Sequence, residues 1–260
     1  HLTLIFISLI ITILVGFSFL KWGIPYSSEK LAFMLPSNIN TKISKSTFET
    51  LDKYVLKKSK LKEEVKQKIL DSYNTSVLPY LKNKEYSNIK INFREWKIDK
   101  KSIPNAFALP DGNIILTDEF IKLSKNSDEI NSVLFHEIGH IVNKHSLQRV
   151  IEGTFISVFI MYISGDGTMF SDLGIGLSSI FVDSHYSRAH ELDADNYAFK
   201  KMLKANINPQ NFSNILNRIS HQNKNNSMFN YFSSHPSNEE RIDIAHKYLQ
   251  CYNKKLTICK

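Results

Sequence analysis

HEIGH, residues 136–140, decides how the rest of this chain is read. Ser127-Asp128-Glu129 comes before it, and Ile130, Val133, Leu134, Ile138, Ile141 and Val142 recur around it at helical spacing. Ser127 is the expected cap of the free N–H groups, and the two acids suit the positive end of the helix. On a helix, positions i and i+4 share a face, so His136 and His140 can reach one ion. Neutral imidazole is a good zinc ligand. Glu137 is one step round, close to such an ion without facing it, where a carboxylate can take a proton from a metal-bound water. Gly139 removes a side chain beside the pair and lets a substrate or another helix approach. The plain alternative is an ordinary helix whose histidines face water.

Two histidines do not complete a catalytic zinc site, which needs a third protein ligand and an open position. A third histidine six residues on, with a glycine between, is excluded by Ser146 and Asn143. His145 is about 140° round the helix from His140, which points it to a wet face or the helix end. The remaining source is a later helix. SRAHELDADNYA, residues 187–198, offers Glu191 as a ligand and Asp195 four residues further on the same face. Asp195 can accept from the outer nitrogen of a ligand histidine and fix its tautomer. Asp193 points elsewhere.

Upstream of the helix the period changes. Ile89, Ile91 and Phe93 alternate with polar residues, as in a half-buried strand. NAFALPDGNIILT, residues 105–117, carries the turn signal Pro110-Asp111-Gly112 between two apolar runs and reads as a hairpin. Residues 44–86 read as one or two amphipathic helices broken near Pro79. Downstream, residues 150–182 are apolar with a Gly-rich middle, each run too short to span a bilayer comfortably. They read equally as buried core helices or as a flap that covers the site or touches membrane. Further helices are expected over 184–205, 209–222 and 237–250, with a loop at 221–227.

HLTLIFISLIITILVGFSFL, residues 1–20, holds no Asp, Glu, Lys or Arg and then meets Lys21 and Trp22. It is long enough to cross a bilayer as one helix, and Trp22 suits the interface. No small-x-small cleavage site follows, which favours a retained anchor over a removed signal peptide. The formal charge of +8 comes mostly from scattered lysines. No Arg-rich helix or aromatic-interleaved basic run accompanies it, so no nucleic-acid partner is expected. Cys251 and Cys259 lack a CxxC spacing and are read either as a small disulfide loop or as two thiols.

HEIGH, then ELDAD at 191–195, then HPSNEER at 235–241, with the 105–117 hairpin ahead of them, resemble the membrane-associated gluzincin peptidases related to HtpX and the CAAX prenyl proteases (peptidase family forty-eight). The likeness covers about residues 85–245 and is nearest the Oma-like, single-anchor quality-control branch. It implies that His136, His140 and Glu191 bind one Zn2+ per chain and that Glu137 is the catalytic base. It implies that Arg188 holds nearby carboxylates by salt bridges. Asn105 and the strand after it match the edge along which an extended polypeptide substrate lies. His235 would approach the site and help stabilise the oxyanion, with Arg241 as its structural companion. The CAAX proteases have several spans and this chain shows one, so cleavage of prenylated peptides is not expected.

The sequence thus predicts a mainly helical α+β, zincin-like peptidase domain with a small antiparallel sheet and an active-site helix. The expected divisions are an anchor over 1–22, a linker with amphipathic helices over 23–86, and the peptidase domain over 87–260. The expected activity is zinc-dependent cleavage of unfolded or misassembled membrane or envelope proteins. The expected location is a single-pass membrane anchor with the peptidase domain in the bacterial periplasm. The competing class is a membrane-tethered client-binding or chaperone-like module with a structural zinc.

Overall fold

The computed structural model describes residues 2–81, 88–98, 101–164, 186–222, 235 and 239–259. The expected loop at 221–227 and the 165–182 part of the apolar segment lie outside these, apart from residues 221 and 222. Helix α1 (Leu2–Ser18) runs through a π-helical turn (Phe19–Gly23) into α2 (Ile24–Met34). The whole run, Leu2–Met34, is 33 residues long, about 50 Å at 1.5 Å per residue against about 30 Å of hydrocarbon. Its apolar part has no buried residues. By length and composition it can cross a membrane, and the expected anchor is the first part of a longer helix.

Next come α3 (Ser37–Tyr54), β1 (Leu56–Lys58) and α4 (Glu63–Ser76). A single 3-10 turn at Leu78–Tyr80 contains Pro79, where the helical pattern was expected to break. Strands β2 (Lys90–Ile98), β3 (Lys101–Ser102), β4 (Ala106–Ala108) and β5 (Asn113–Thr117) follow. The remaining helices are α5 (Asp118–Leu123), α6 (Ser127–Val142), α7 (His145–Ser164), α8 (Arg188–Lys204), α9 (Gln210–Gln222) and α10 (Glu239–Asn253).

The sheet order is β1-β2-β5-β4, with β3 added beside β2. The expected hairpin is β4–β5, closed by Gly112 at φ +99°, a backbone angle that favours glycine. The sheet is mixed, however, where an antiparallel one was expected. β5 lies parallel to β2, with Ile91 opposite Ile114 and Phe93 opposite Leu116. The reason is burial. Ile114, Ile115 and Leu116 are all buried, and a strand apolar on both faces belongs in the interior of a sheet. The hairpin therefore docks through β5 and leaves β4 at the edge.

Alternation sends the sheet's side chains to two cores. Phe93, Ala106, Ala108, Ile114 and Leu116 meet α4, α6, α8 and α9 on one face. Trp96, Phe107, Leu109 and Ile115 meet Leu51 of α3, Leu56 and Val150 of α7 on the other. Ile69, Tyr73 and Val77 belong to the first core, so residues 51–77 pack with the peptidase domain and have no core of their own. At the C-terminus Cys251 and Cys259 form a disulfide, the first of the two expected alternatives.

Candidate active site

The cap of α6 lies one residue earlier than expected. Asn126 accepts from the Glu129 N–H, and Ser127 is the first helical residue. Glu129 accepts from the Lys125 N–H and is paired with Arg218 of α9. That fixes the end of a helix buried from Glu129 to His140. The close neighbour of α6 is α8. A Cβ on Gly139 would come within 2.9 Å of the Ala194 Cα and 3.0 Å of its carbonyl oxygen. The glycine thus admits another helix, one of the two roles expected for it, and α8 brings Glu191 over the histidine pair.

Four buried residues converge there: His136, His140, Glu191 and His235, each with one donor atom within 4.8 Å of the others. His140 Nε2 is 3.0 Å from His136 Nε2, which is 3.3 Å from His235 Nδ1. Glu191 Oε1 is 3.0 Å from His235 Nδ1 and 3.4 Å from His140 Nε2. Donors held 2.0–2.1 Å from one ion at tetrahedral angles lie about 3.3 Å apart. Protons alone do not satisfy this many nitrogen lone pairs turned toward one point. The residues fit a metal ion.

The surroundings hold the donors in place. His136 Nδ1 is 2.8 Å from Asp195 Oδ1, as expected of an outer carboxylate. Arg241 grips Asp195 through two nitrogens and reaches Glu191 Oε2 at 2.7 Å. The cation found on these two carboxylates is Arg241. Arg188 is exposed at the first turn of α8, and no ion pair of it is found among the described residues. Arg188 is three residues before Glu191, but it lies on the outer face, whereas Arg241 comes from α10 against the inner one. Asn105 is buried, with its N–H on Thr117 Oγ1 and its side-chain oxygen on the Ala106 N–H. Its polar groups thus organise the start of β4, the terminal strand of the sheet.

Of the two places expected for His145, a wet face or the helix end, it takes the second, just past the end of α6 and buried. Lys144, at φ +56°, ends the run of α6 and turns the chain, so the helical angle from His140 no longer applies. His145 Nδ1 then lies 3.0 Å from His140 Nδ1. His190 stacks on His145 at 4.2 Å between centroids and meets Gln148 through Nε2 at 3.0 Å. Tyr186 stacks on His140 at 3.8 Å.

Burial dominates the electrostatics. It pushes Glu137 up to about 8, and both of its oxygens are buried without an aligned hydrogen bond. The Ala108 backbone beside it acts weakly the other way. Burial pushes His235 down to about 4 against the pull of Glu191, and holds His140 well below its ordinary value. Burial would raise Glu191, but the imidazoles, His235 first, hold it well below the usual carboxylate range. His136 is the exception: Asp195 and Glu191 outweigh burial and raise it to about 9. His235 Nε2 lies 3.5 Å from Glu137 Oε1, so the expected base and the expected oxyanion helper are neighbours.

The family model for peptidase family M48 matches residues 75–248. The chain belongs to that family. The match takes in α6, α8 and His235, and it reaches back into α4, which agrees with the shared core. Among individual proteins, the chain is 24% identical over 184 residues to the mitochondrial metalloendopeptidase OMA1 of Saccharomyces cerevisiae, covering 66% of this chain and 52% of that one. It is 24% identical over 142 residues to OMA1 of Arabidopsis thaliana, covering 55% and 29%. It is 25% identical over 175 residues to the beta-barrel assembly-enhancing protease of Yersinia pestis, covering 60% and 35%. The chain thus spans about half or less of the length of these relatives. They agree with an M48 peptidase of the Oma-like branch.

Proposed function

We propose that the protein is a zinc-dependent endopeptidase held at a membrane, acting on unfolded or misassembled membrane or envelope polypeptides. The observation that carries this reading is the convergence of His136, His140 and Glu191 with a buried Glu137 at their side. Zinc bound by those three residues would supply Lewis-acid polarisation of the scissile carbonyl and of a water. Glu137 would take the water's proton and pass it to the leaving amine. Asp195 and Arg241 would keep His136 and Glu191 in position. The terminal strand β4 would offer its edge to an extended substrate, read through backbone more than side chains. The name of the OMA1 relative, a metalloendopeptidase, supports the reaction, and that of the beta-barrel assembly-enhancing relative supports an envelope substrate.

His235 stands in the fourth donor place. A catalytic zinc keeps one position open, so His235 would have to withdraw before water or substrate enters. It would then be free to serve the oxyanion. The disulfide Cys251–Cys259 supports an oxidising compartment for the peptidase domain, such as the periplasm.

The same fourth donor favours a second reading. Structural zinc sites are closed by four protein ligands, as expected in a client-binding module. The test is metal content and casein cleavage by the full chain in detergent, for wild type, Glu137→Gln and His235→Ala. One zinc per chain in wild type and Glu137→Gln, with cleavage lost in Glu137→Gln, supports the peptidase. Bound zinc with no cleavage by wild type or His235→Ala would leave the binding module.

A further inference from the structure

Helix α7 begins at the candidate metal cluster and ends in an unusual surface. Ile156, Val158, Phe159 and Ile160 are each between 41% and 45% exposed. At 100° per residue they face round more than half of the helix circumference. A helix on a water-soluble surface shows one apolar stripe toward its core and a polar face to solvent. Here residues 153–164 contain no Asp, Glu, Lys or Arg, so the exposed sides have no charged face to offer water.

The partner of α7 is α2, the continuation of the candidate span. Lys144 Nζ donates to the Ala32 carbonyl at 3.0 Å and lies over the Phe33 ring. Seven residues on from His145, Glu152 lines a cavity together with Pro25 and Tyr26. The two helices are therefore antiparallel. As α7 rises from the metal cluster, α2 is passed in reverse, toward α1. Beyond Glu152 the helix continues for about 18 Å at 1.5 Å per residue, on the side where α1 lies.

Two markers then coincide. In the first helix the charged and apolar parts meet at Lys21-Trp22, next to Pro25. In α7 the last charge is Glu152, which lines one cavity with Pro25 and Tyr26. Two neighbouring antiparallel segments thus change from charged to apolar in the same direction and within about 6 Å along the axis, four residues at 1.5 Å each, as a common bilayer surface requires. Chance packing gives no reason for that agreement.

We propose that the C-terminal half of α7, from residue 153, enters the same bilayer leaflet as α1, so that lipid covers its exposed face. Among the described residues it is not long and apolar enough to cross by itself. It acts as a second, shorter contact that fixes the height of the peptidase domain. His145 is about 10 Å down the helix axis from Glu152, and His145 touches His140. The cluster is thus held about 10–15 Å from the membrane surface. Three to five extended residues cover that distance, at about 3.3 Å each. Together with the peptidase reading on which this step rests, the geometry selects polypeptide segments that have just left the membrane.

The test uses the full chain in phosphatidylcholine nanodiscs, with a nitroxide on Ile13→Cys, Phe159→Cys or Lys68→Cys. Oxygen reports exposure to lipid and a nickel chelate reports exposure to water. The expected result is that residue 159 behaves like residue 13 in α1, several-fold richer in oxygen contact relative to nickel than the exposed Lys68 position. Nickel access at 159 with residue 13 protected would remove α7 from the membrane. Nickel access at both would remove α1 as well, and the proposal with it. Shielding of 159 from both reagents would mean that protein covers it, which overturns the lipid assignment. Single-span substrates with one cleavable segment about 4 or about 20 residues from the bilayer test the consequence. Faster cutting of the near segment is expected. Equal cutting of both, abolished by Glu137→Gln, would end the height argument and leave the peptidase standing. No cutting of either, with casein also intact, would instead strike the peptidase reading.

Discussion

His145 Nδ1 lies 3.0 Å from His140 Nδ1, so the outer nitrogen of one candidate ligand is met by a second imidazole. With His140 holding metal through Nε2, its Nδ1–H donates and His145 accepts. Burial holds His145 down at about 2, which keeps it neutral and able to accept. His145→Leu removes the acceptor and is expected to weaken zinc binding by about 10–100-fold, the usual cost of an outer partner. His145→Asn places an oxygen near the same point and should restore most of it. Chelator competition with the purified chain reads both. Equal zinc affinity in wild type and the Leu variant would deny His145 a positioning role.

Gly139 is a position where one methyl group matters. Its Cβ would stand 2.9 Å from the Ala194 Cα, and that neighbour is backbone. Gly139→Ala is expected to push α8 away from α6, at a cost of about 1–3 kcal/mol, and to carry Glu191 off the histidine pair. Thermal melting and zinc content should both fall. Ala194→Gly should not rescue the variant, because the clashing Cα and carbonyl remain. A Gly139→Ala protein with unchanged melting temperature and full zinc would show that the two helices are not so tightly joined.

The metal cluster was legible in the sequence because helical spacing is a local property. His136, Glu137 and His140 occupy three positions on one helix, and Glu191 and Asp195 share a face of another. The surrounding contacts were not legible in the same way. The helix end was legible for His145, but its contact with His140 was not, because the angle from His140 assumes that α6 continues and Lys144 breaks it. Arg188 was implied by the resemblance alone, and the cation that meets Asp195 and Glu191 is Arg241, from α10, far away in the sequence. β1 and β3 span three and two residues, too short for an alternation to show. The parallel pairing of β2 with β5 follows from which strand is apolar on both faces, and the hairpin signal does not encode that. The branch of the family and the single apolar N-terminal helix were legible from motif order and composition.

The first core carries an alkaline weakness in Tyr73 of α4. Burial pushes its hydroxyl up to about 12, whereas in the unfolded chain it ionises near 10. The unfolded state therefore loses the proton first. The contribution of the neutral tyrosine is fully present below pH 10 and is lost as pH rises toward 12. Melting temperatures across pH 9 to 12 should fall more steeply for wild type than for Tyr73→Phe, which keeps the ring and cannot ionise. Parallel curves would place Tyr73 in contact with water.

Arg241 is the cation on which two buried carboxylates depend. It makes two contacts with Asp195 and one with Glu191, and all three residues are buried. Arg241→Leu leaves both acids without their partner, and breaking a buried pair in this way costs about 3–5 kcal/mol. Lysine keeps the charge but not the planar fork, so Arg241→Lys should recover only part of the loss. Arg188→Leu is the control. An exposed arginine with no ion pair among the described residues should change stability by no more than about 0.5 kcal/mol. Denaturant unfolding of the chain with and without bound zinc separates the two arginines. If Arg188→Leu proved the more damaging, the salt bridges implied for it by resemblance would be restored, and the inner place given to Arg241 would be wrong.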